Sequence, residues 1–149
     1  MKAVIQRVLK ADLKVDGELI SKIGKGLLIF LGVGKGDTEE DAKKLANKIS
    51  KLRIFSDEND KMNLSVADIG GEILLVSQFT LFADCKHGNR PSFIDAEEPI
   101  NANNLYKFME STLKNLQNTV KIGIFGADMK INALNDCPVT IILDSKDLK

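Results

Sequence analysis

Gly26-Leu27-Leu28-Ile29-Phe30-Leu31-Gly32-Val33 decides the architecture of this chain. Its apolar side chains run almost without a break, whereas a strand with one wet face alternates, so a strand covered on both faces is expected here. Upstream, Ala3 to Val15 alternates with period two, Asp16-Gly17 supplies a tight-turn dipeptide and Glu18 to Ile23 resumes the alternation, the pattern of a β-hairpin. Downstream, Asp37 or Thr38 can cap a helix whose first turn carries Glu39, Glu40 and Asp41, where the helix dipole favours negative charge. Ala42, Leu45, Ala46, Ile49 and Leu52 then recur at helical spacing, so one face of that helix packs on the sheet.

Beyond a solvated loop at Asp57-Glu58-Asn59-Asp60, a strand is expected from Glu72 to Phe79. A long connection from Ala83 to Pro99 shows little periodicity, and such segments inside compact domains are more often functional than accidental. Asn101 or Asn103 can cap a second helix reaching about Gln117, with Leu105, Phe108, Met109, Leu113 and Leu116 inward. Strands follow at Thr119 to Phe125, Lys130 to Leu134 and Val139 to Leu143. The fold class expected is mixed α+β: a layered mixed β-sheet with two main helices, forming a single domain over residues 1–149.

Composition narrows the function classes. The 44% hydrophobic and 28% charged fractions are those of an ordinary globular protein rather than a disordered chain. Twenty-one basic residues balance 21 acidic ones, which argues against non-specific attraction to a long nucleic-acid backbone without excluding a locally basic mouth. Only Arg7, Arg53 and Arg90 offer a planar fork to phosphate or carboxylate. Cys85 and Cys137 form neither a disulfide framework nor a Cys-x-x-Cys pair. The first residues alternate like a strand and lack the apolar run of a signal peptide or membrane helix, so a cytoplasmic protein is expected.

Two stretches carry candidate chemistry. Ser77-Gln78-Phe79-Thr80-Leu81 closes an apolar strand with hydroxyls and a carboxamide, and Cys137-Pro138-Val139-Thr140 supplies a proline-fixed turn. Ser77 and Thr80 either act on a substrate or satisfy backbone groups at the strand end. No His or Asp stands beside them to serve as a base, and His87, the only histidine, sits in a loop next to Gly88. Backbone N–H groups of Phe79 and Thr80 can cradle an oxyanion if the strand splays there. Gly32-Val33-Gly34-Lys35-Gly36-Asp37 resembles a phosphate loop but does not match Gly-x-x-x-x-Gly-Lys-Ser/Thr, so turn glycines are the better account.

Taken in order, Ala3-Val4-Ile5-Gln6-Arg7-Val8, Arg53-Ile54-Phe55-Ser56-Asp57, Lys61-Met62-Asn63, Ser77-Gln78-Phe79-Thr80-Leu81, Gly88-Asn89-Arg90-Pro91-Ser92-Phe93, Phe125-Gly126-Ala127-Asp128-Met129 and Asn135-Asp136-Cys137-Pro138-Val139-Thr140 closely resemble the D-aminoacyl-tRNA deacylases, first known as D-tyrosyl-tRNA deacylases. The match spans nearly the whole chain without a large gap. It implies hydrolysis of the ester of D-aminoacyl-tRNA, and possible action on glycyl-tRNA, by a homodimer with a barrel-like interface and two equivalent active sites there. No metal or other cofactor is implied, and the partner is the 3'-terminal aminoacyl-adenosine.

By the same resemblance, each site joins Ser77, Gln78, Phe79 and Thr80 of one chain to a Gly-Pro motif of the other, whose carbonyls reject L-amino acids. Cys137 stands where that motif usually has glycine, followed by Pro138, and the pair is expected to remain cis. Phe125 and Met129 resemble positions lining the adenosine pocket; ordinary core packing is the alternative for both. Arg7 and Arg90 order the interface or receive phosphate. The resemblance also brings in the ribose 2'-hydroxyl as an assistant, preferred over Thr80 as a nucleophile because nothing near Thr80 would deprotonate it. The competing reading is a non-catalytic dimeric nucleic-acid-binding module.

Overall fold

A computed structural model describes all residues, 1–149. The expected hairpin is strands β1 (Lys2–Val15) and β2 (Glu18–Ile23), turned by Asp16 and Gly17, both at positive φ (51° and 79°) as such a two-residue turn demands. β3 (Gly26–Gly32) pairs antiparallel with the first half of β1 and parallel with β6 (Glu72–Ser77), which pairs parallel with β7 (Thr119–Ile122). Between β3 and β6 come helix α1 (Glu39–Ser50) and a small ribbon, β4 (Phe55–Ser56) with β5 (Met62–Leu64), at the expected solvated loop. Helix α2 (Pro99–Asn115) links β6 to β7. β8 (Met129–Asp144) lies antiparallel along the other edge of β1 for its whole length.

Capping of α1 falls to Thr38, whose N–H and hydroxyl both donate to Asp41 Oδ2 (2.9 and 3.0 Å). Asp37 instead accepts from Gly34 N–H at 2.7 Å. Burial raises the Asp41 pKa, but the Thr38 bonds, the Ser145 hydroxyl and the N-terminal ammonium together outweigh it and hold the carboxyl below its ordinary value. The second helix starts earlier than expected, with Glu98 as cap residue and Pro99 in its first turn, where a missing N–H costs nothing.

Both helices cover one face of the sheet. Ala42, Leu45, Ala46 and Ile49 of α1 and Ala102, Tyr106, Met109 and Leu113 of α2 pack on Ile5, Leu27, Ile29, Ile73 and Leu75. On the opposite face Val8, Ala11, Leu13, Ile23, Leu28, Leu74 and Val76 form a second core, because the sheet rolls over on itself. β2 meets β7 at the closure: Ser21 Oγ donates to the Ile122 carbonyl and Lys121 Nζ to the Lys22 carbonyl. The result is a nearly closed, barrel-like mixed sheet with two helices on one side. That roll gives the apolar run at β3 its two dry faces. No helix is long and apolar enough to cross a membrane.

Three strand boundaries are corrected, the first being β7, expected to reach Phe125 and ending at Ile122. β6 ends at Ser77, and Phe79–Phe82 forms a 3₁₀ turn rather than the strand's last residues. The two strands expected at residues 130–134 and 139–143 are one strand, β8, carried past Pro138 by register irregularities opposite Gln6, Val8 and Lys10. Irregularity is what lets a proline sit in a strand that would otherwise need its N–H.

Candidate active site

The strands β3, β6 and β7 run parallel, and a cleft opens beyond their carboxyl ends, where open α/β sheets usually hold ligands. It measures about 410 Å³. Leu31 and Val33 form the floor, Gln78 and Phe79 one lip, Ala102 and Tyr106 the α2 side, and Phe125 with Gly126 the far wall. Phe93 closes it edge-on to Phe79, the ring centroids 5.0 Å apart, and Tyr106 leans on Phe125 at 6.0 Å.

One wall is held by backbone pairing: Lys35 N–H donates to the Asp95 carbonyl (2.9 Å) and Glu97 N–H to the Val33 carbonyl (3.0 Å). Gly34, at the centre of that pairing, is tight against Phe82; a Cβ there would lie 2.4 Å from the ring. Any side chain at position 34 would push Phe82 and the 3₁₀ turn that carries it.

The turn itself begins when Gln78 N–H donates to the Leu31 carbonyl (2.8 Å), the last link between β6 and β3. Phe79 and Thr80 then open the 3₁₀ segment, where main-chain N–H groups have no acceptor within the helix. Gln78 Nε2 donates to Thr80 Oγ1. The hydroxyl oxygen of Thr80 is thus paired with a donor and not with a base. Phe79 is 56% exposed, a large aromatic at the lip held on one side by Phe93.

Tyr106 anchors the α2 side. Its hydroxyl donates to the Leu75 carbonyl at 2.6 Å, and burial pushes its pKa far above the ordinary value, so it stays a protonated hydrogen-bond donor. Glu97 and Glu98 put carboxylates on the rim. Sequence reading missed Tyr106, Glu97 and Glu98. Phe93 was legible as part of Gly88-Asn89-Arg90-Pro91-Ser92-Phe93, but nothing in that run reveals that its ring meets Phe79.

Other candidates fall elsewhere. Met129 is outside the cleft lining, packed against the second core with its sulfur beside Gly123. Arg90 is exposed in a loop whose stem pairs Asp84 with Ser92, along with Cys85 and His87. Arg7 is 6% exposed, its Nη1 donating to the Ile54 carbonyl at 2.7 Å. Its Nε lies 3.1 Å from Asp136 Oδ2 without an N–H aimed at that oxygen, so this attraction is coulombic. Enclosed in this way, Arg7 is not available to a phosphate; it grips the residue preceding Cys137.

Cys137-Pro138 is a cis peptide, with Cys137 at φ 95° and both side chains exposed. Within one protomer this pair does not reach the cleft: β8, β1, β3 and β6 follow one another, so Pro138 and Ser77 are three strand spacings apart, about 14 Å across the sheet.

Residues 4–144 match the profile of the family described as D-Tyr-tRNA(Tyr) deacylase. The chain belongs to that family. It is 60% identical over 149 residues, its full length and 96% of the other chain, to a D-aminoacyl-tRNA deacylase of Dictyoglomus turgidum. It is 56% identical to one of Thermosipho melanesiensis, covering 98% of both chains. Among solved structures it is similar to a c-Myc DNA unwinding element binding protein, with TM-score 0.91 and 41% identity over 97% of this chain and 98% of that one. It also resembles a probable eukaryotic D-amino acid tRNA deacylase, with TM-score 0.82 over 96% and 98% of the two chains; at 14% identity that likeness speaks for the fold alone.

Proposed function

We propose that this protein is a hydrolase that cleaves the ester of D-aminoacyl-tRNA, releasing the D-amino acid and tRNA. The observation that carries the reading is the cleft behind the Ser77–Thr80 segment, walled by Phe79, Phe93, Tyr106 and Phe125, in a chain of the D-Tyr-tRNA(Tyr) deacylase family. Aromatic walls suit a terminal adenosine, with Phe125 among them, and the rim carboxylates suit the substrate's ammonium group.

Water attacks the ester carbonyl, the oxyanion is held by the N–H groups of Phe79 and Thr80, and its collapse breaks the bond to the ribose oxygen, which takes up the proton released by the attacking water. The donor on Thr80 Oγ1 supports a positioning role for that hydroxyl rather than a nucleophilic one. The ribose 2'-hydroxyl of the substrate is the assisting group. Ser77 and Gln78 order the segment.

The working form is a homodimer. Val4, Phe30 and Ile142 lie in one cross-strand row on the sheet face that the helices leave open, and Ile142 is 74% exposed; an apolar row of that kind calls for cover. A second copy laid there brings its Cys137-Pro138 carbonyls to the cleft that one protomer leaves open to solvent. Those carbonyls reject L-amino acids, and glycine, lacking a side chain, passes.

Incubating the protein with D-Tyr-tRNA and L-Tyr-tRNA and following ester loss tests this. Cleavage of the D-ester alone is expected; comparable cleavage of the L-ester removes the stereochemical part, and loss of neither ester removes the activity. In that last case the second reading, a nucleic-acid-binding module, stands; it draws on the likeness to the DNA unwinding element binding protein, and the zero net charge speaks against it.

A further inference from the structure

The proposed substrate is a long polyanion attached to a small ester, and once the ester occupies the cleft the RNA must leave across some part of the surface. The wall formed by residues 33–35 and 95–97 separates the cleft from a second one of about 400 Å³, lined by Lys2, Lys35 and Lys146 together with Asp95, Asp144 and Phe82. The 3₁₀ turn Ser145–Asp147 then leads from Lys146 to a third cleft of about 550 Å³ between that turn and α1, where Lys44, Lys48 and Lys51 face Asp147. The three clefts therefore form a row, each sharing a wall with the next.

Seven lysines against three aspartates line the second and third clefts, the seventh being Lys149 with the terminal carboxylate, in a chain whose formal charge is zero. None of the seven side chains takes part in an ion pair; Lys2 alone has another partner, standing 4.8 Å over the Phe82 ring. Lys44, Lys48 and Lys51 occupy i, i+4 and i+7, a single stripe rising about 10 Å along α1 and onto its C-cap. A merely solvated helix face gains from opposite charges at that spacing, and like charges there repel. The C-terminal end of the helix dipole and the facing Asp147 offset part of that repulsion, and an anion laid along the stripe relieves the rest.

We propose that this basic track, from Lys35 across Ser145–Asp147 to Lys51, receives the phosphodiester backbone of the substrate's RNA. The assignment rests on the reading of the cleft as an aminoacyl-tRNA site. Contacts from lysine ammonium groups to phosphate act as point charges and carry no sequence information, so the track would fix the direction of the RNA without selecting its sequence.

The test compares wild type with the triple variant Lys44→Gln, Lys48→Gln, Lys51→Gln, with Lys61→Gln in the β4–β5 ribbon as control. Three measurements are made: binding of uncharged tRNA as a function of salt, hydrolysis of D-Tyr-tRNA, and hydrolysis of the D-tyrosyl ester of the CCA trinucleotide. The triple variant is expected to bind tRNA at least about tenfold more weakly near 0.1 M salt, with its log–log salt slope shallower by about two to three. Cleavage of D-Tyr-tRNA should fall through KM, while cleavage of the trinucleotide ester stays at the wild-type rate, which also shows that the variant is folded. The corresponding Lys→Arg triple should restore binding. An unchanged salt slope, or equal losses on tRNA and trinucleotide, overturns the proposal. Because the binding arm uses uncharged tRNA, it decides the matter even if no ester is cleaved, an outcome that would instead remove the proposed activity.

Discussion

Replacing Cys137 by glycine is expected to stabilise the protein, against the usual direction for a substitution in a strand. Cys137 sits at φ 95°, where a Cβ crowds the neighbouring carbonyl at a cost of about 1–2 kcal/mol. Glycine removes that cost but adds freedom to the unfolded chain worth about 0.5–1 kcal/mol. The thiol is exposed on its own protomer, so no packing within the protomer is lost with it. The net gain spans about 0–1.5 kcal/mol and centres near about 0.75, which for a chain of this length corresponds to about 1.5–3 °C in Tm. Urea and thermal unfolding at one fixed protomer concentration would read it, since self-association adds its own concentration-dependent stability. Cys137→Ala supplies the control: it keeps the Cβ and loses only the sulfur, so it should match wild type within about 0.5 kcal/mol. If glycine destabilises, or if alanine stabilises as much as glycine, the backbone is not the source and the reasoning fails.

Thr80→Ala should lower kcat on D-Tyr-tRNA by less than about tenfold, whereas loss of a true nucleophile costs several orders of magnitude; a trapped acyl-Thr80 ester would contradict the positioning role. Tyr106→Phe leaves the buried Leu75 carbonyl without its side-chain donor and should cost about 1–3 kcal/mol of unfolding free energy, read as a lower urea midpoint at unchanged slope; a loss within error would show that the bond contributes nothing. Glu72 is held below its ordinary pKa by the Gly24 N–H and, against the opposing effect of burial, by Lys121. Its contribution is therefore present above the unfolded-state pKa of about 4.3 and is lost as pH falls through the folded value. Stability curves from about pH 7 to about pH 3 should drop less steeply in Glu72→Gln than in wild type; parallel curves would refute the linkage.

The parts of the fold legible in the sequence are those decided locally. Asp16-Gly17 dictates its turn, and the acidic start and apolar stripe of α1 dictate that helix, because each rests on neighbours a few residues away. The end of β6 was not legible: Phe79, Leu81 and Phe82 continue an apolar pattern, and only the contact of Gln78 N–H with Leu31 marks where the chain leaves the strand. Nor was the continuity of β8, since Asn135-Asp136-Cys137-Pro138 reads as a break and is carried in the strand by the long β1 beside it. In the cleft, the Ser77–Thr80 segment is visible as a motif. Tyr106 is not, because its place in an ordinary amphipathic helix gives no sign that its hydroxyl crosses to Leu75.

Strand β1 pairs through Lys2 with Asp144 and through Val15 with Met129. A ribosome that has just made Lys2 must add about 140 more residues before that partner exists, and at cellular rates of roughly 5–20 residues per second this takes several to tens of seconds. Throughout that interval the nascent chain carries a long unsatisfied edge down the middle of its future sheet. Production in a cell thus leans on holding that edge apart from other chains until translation is nearly finished, and slowing the last codons should increase the share of chains lost to aggregates.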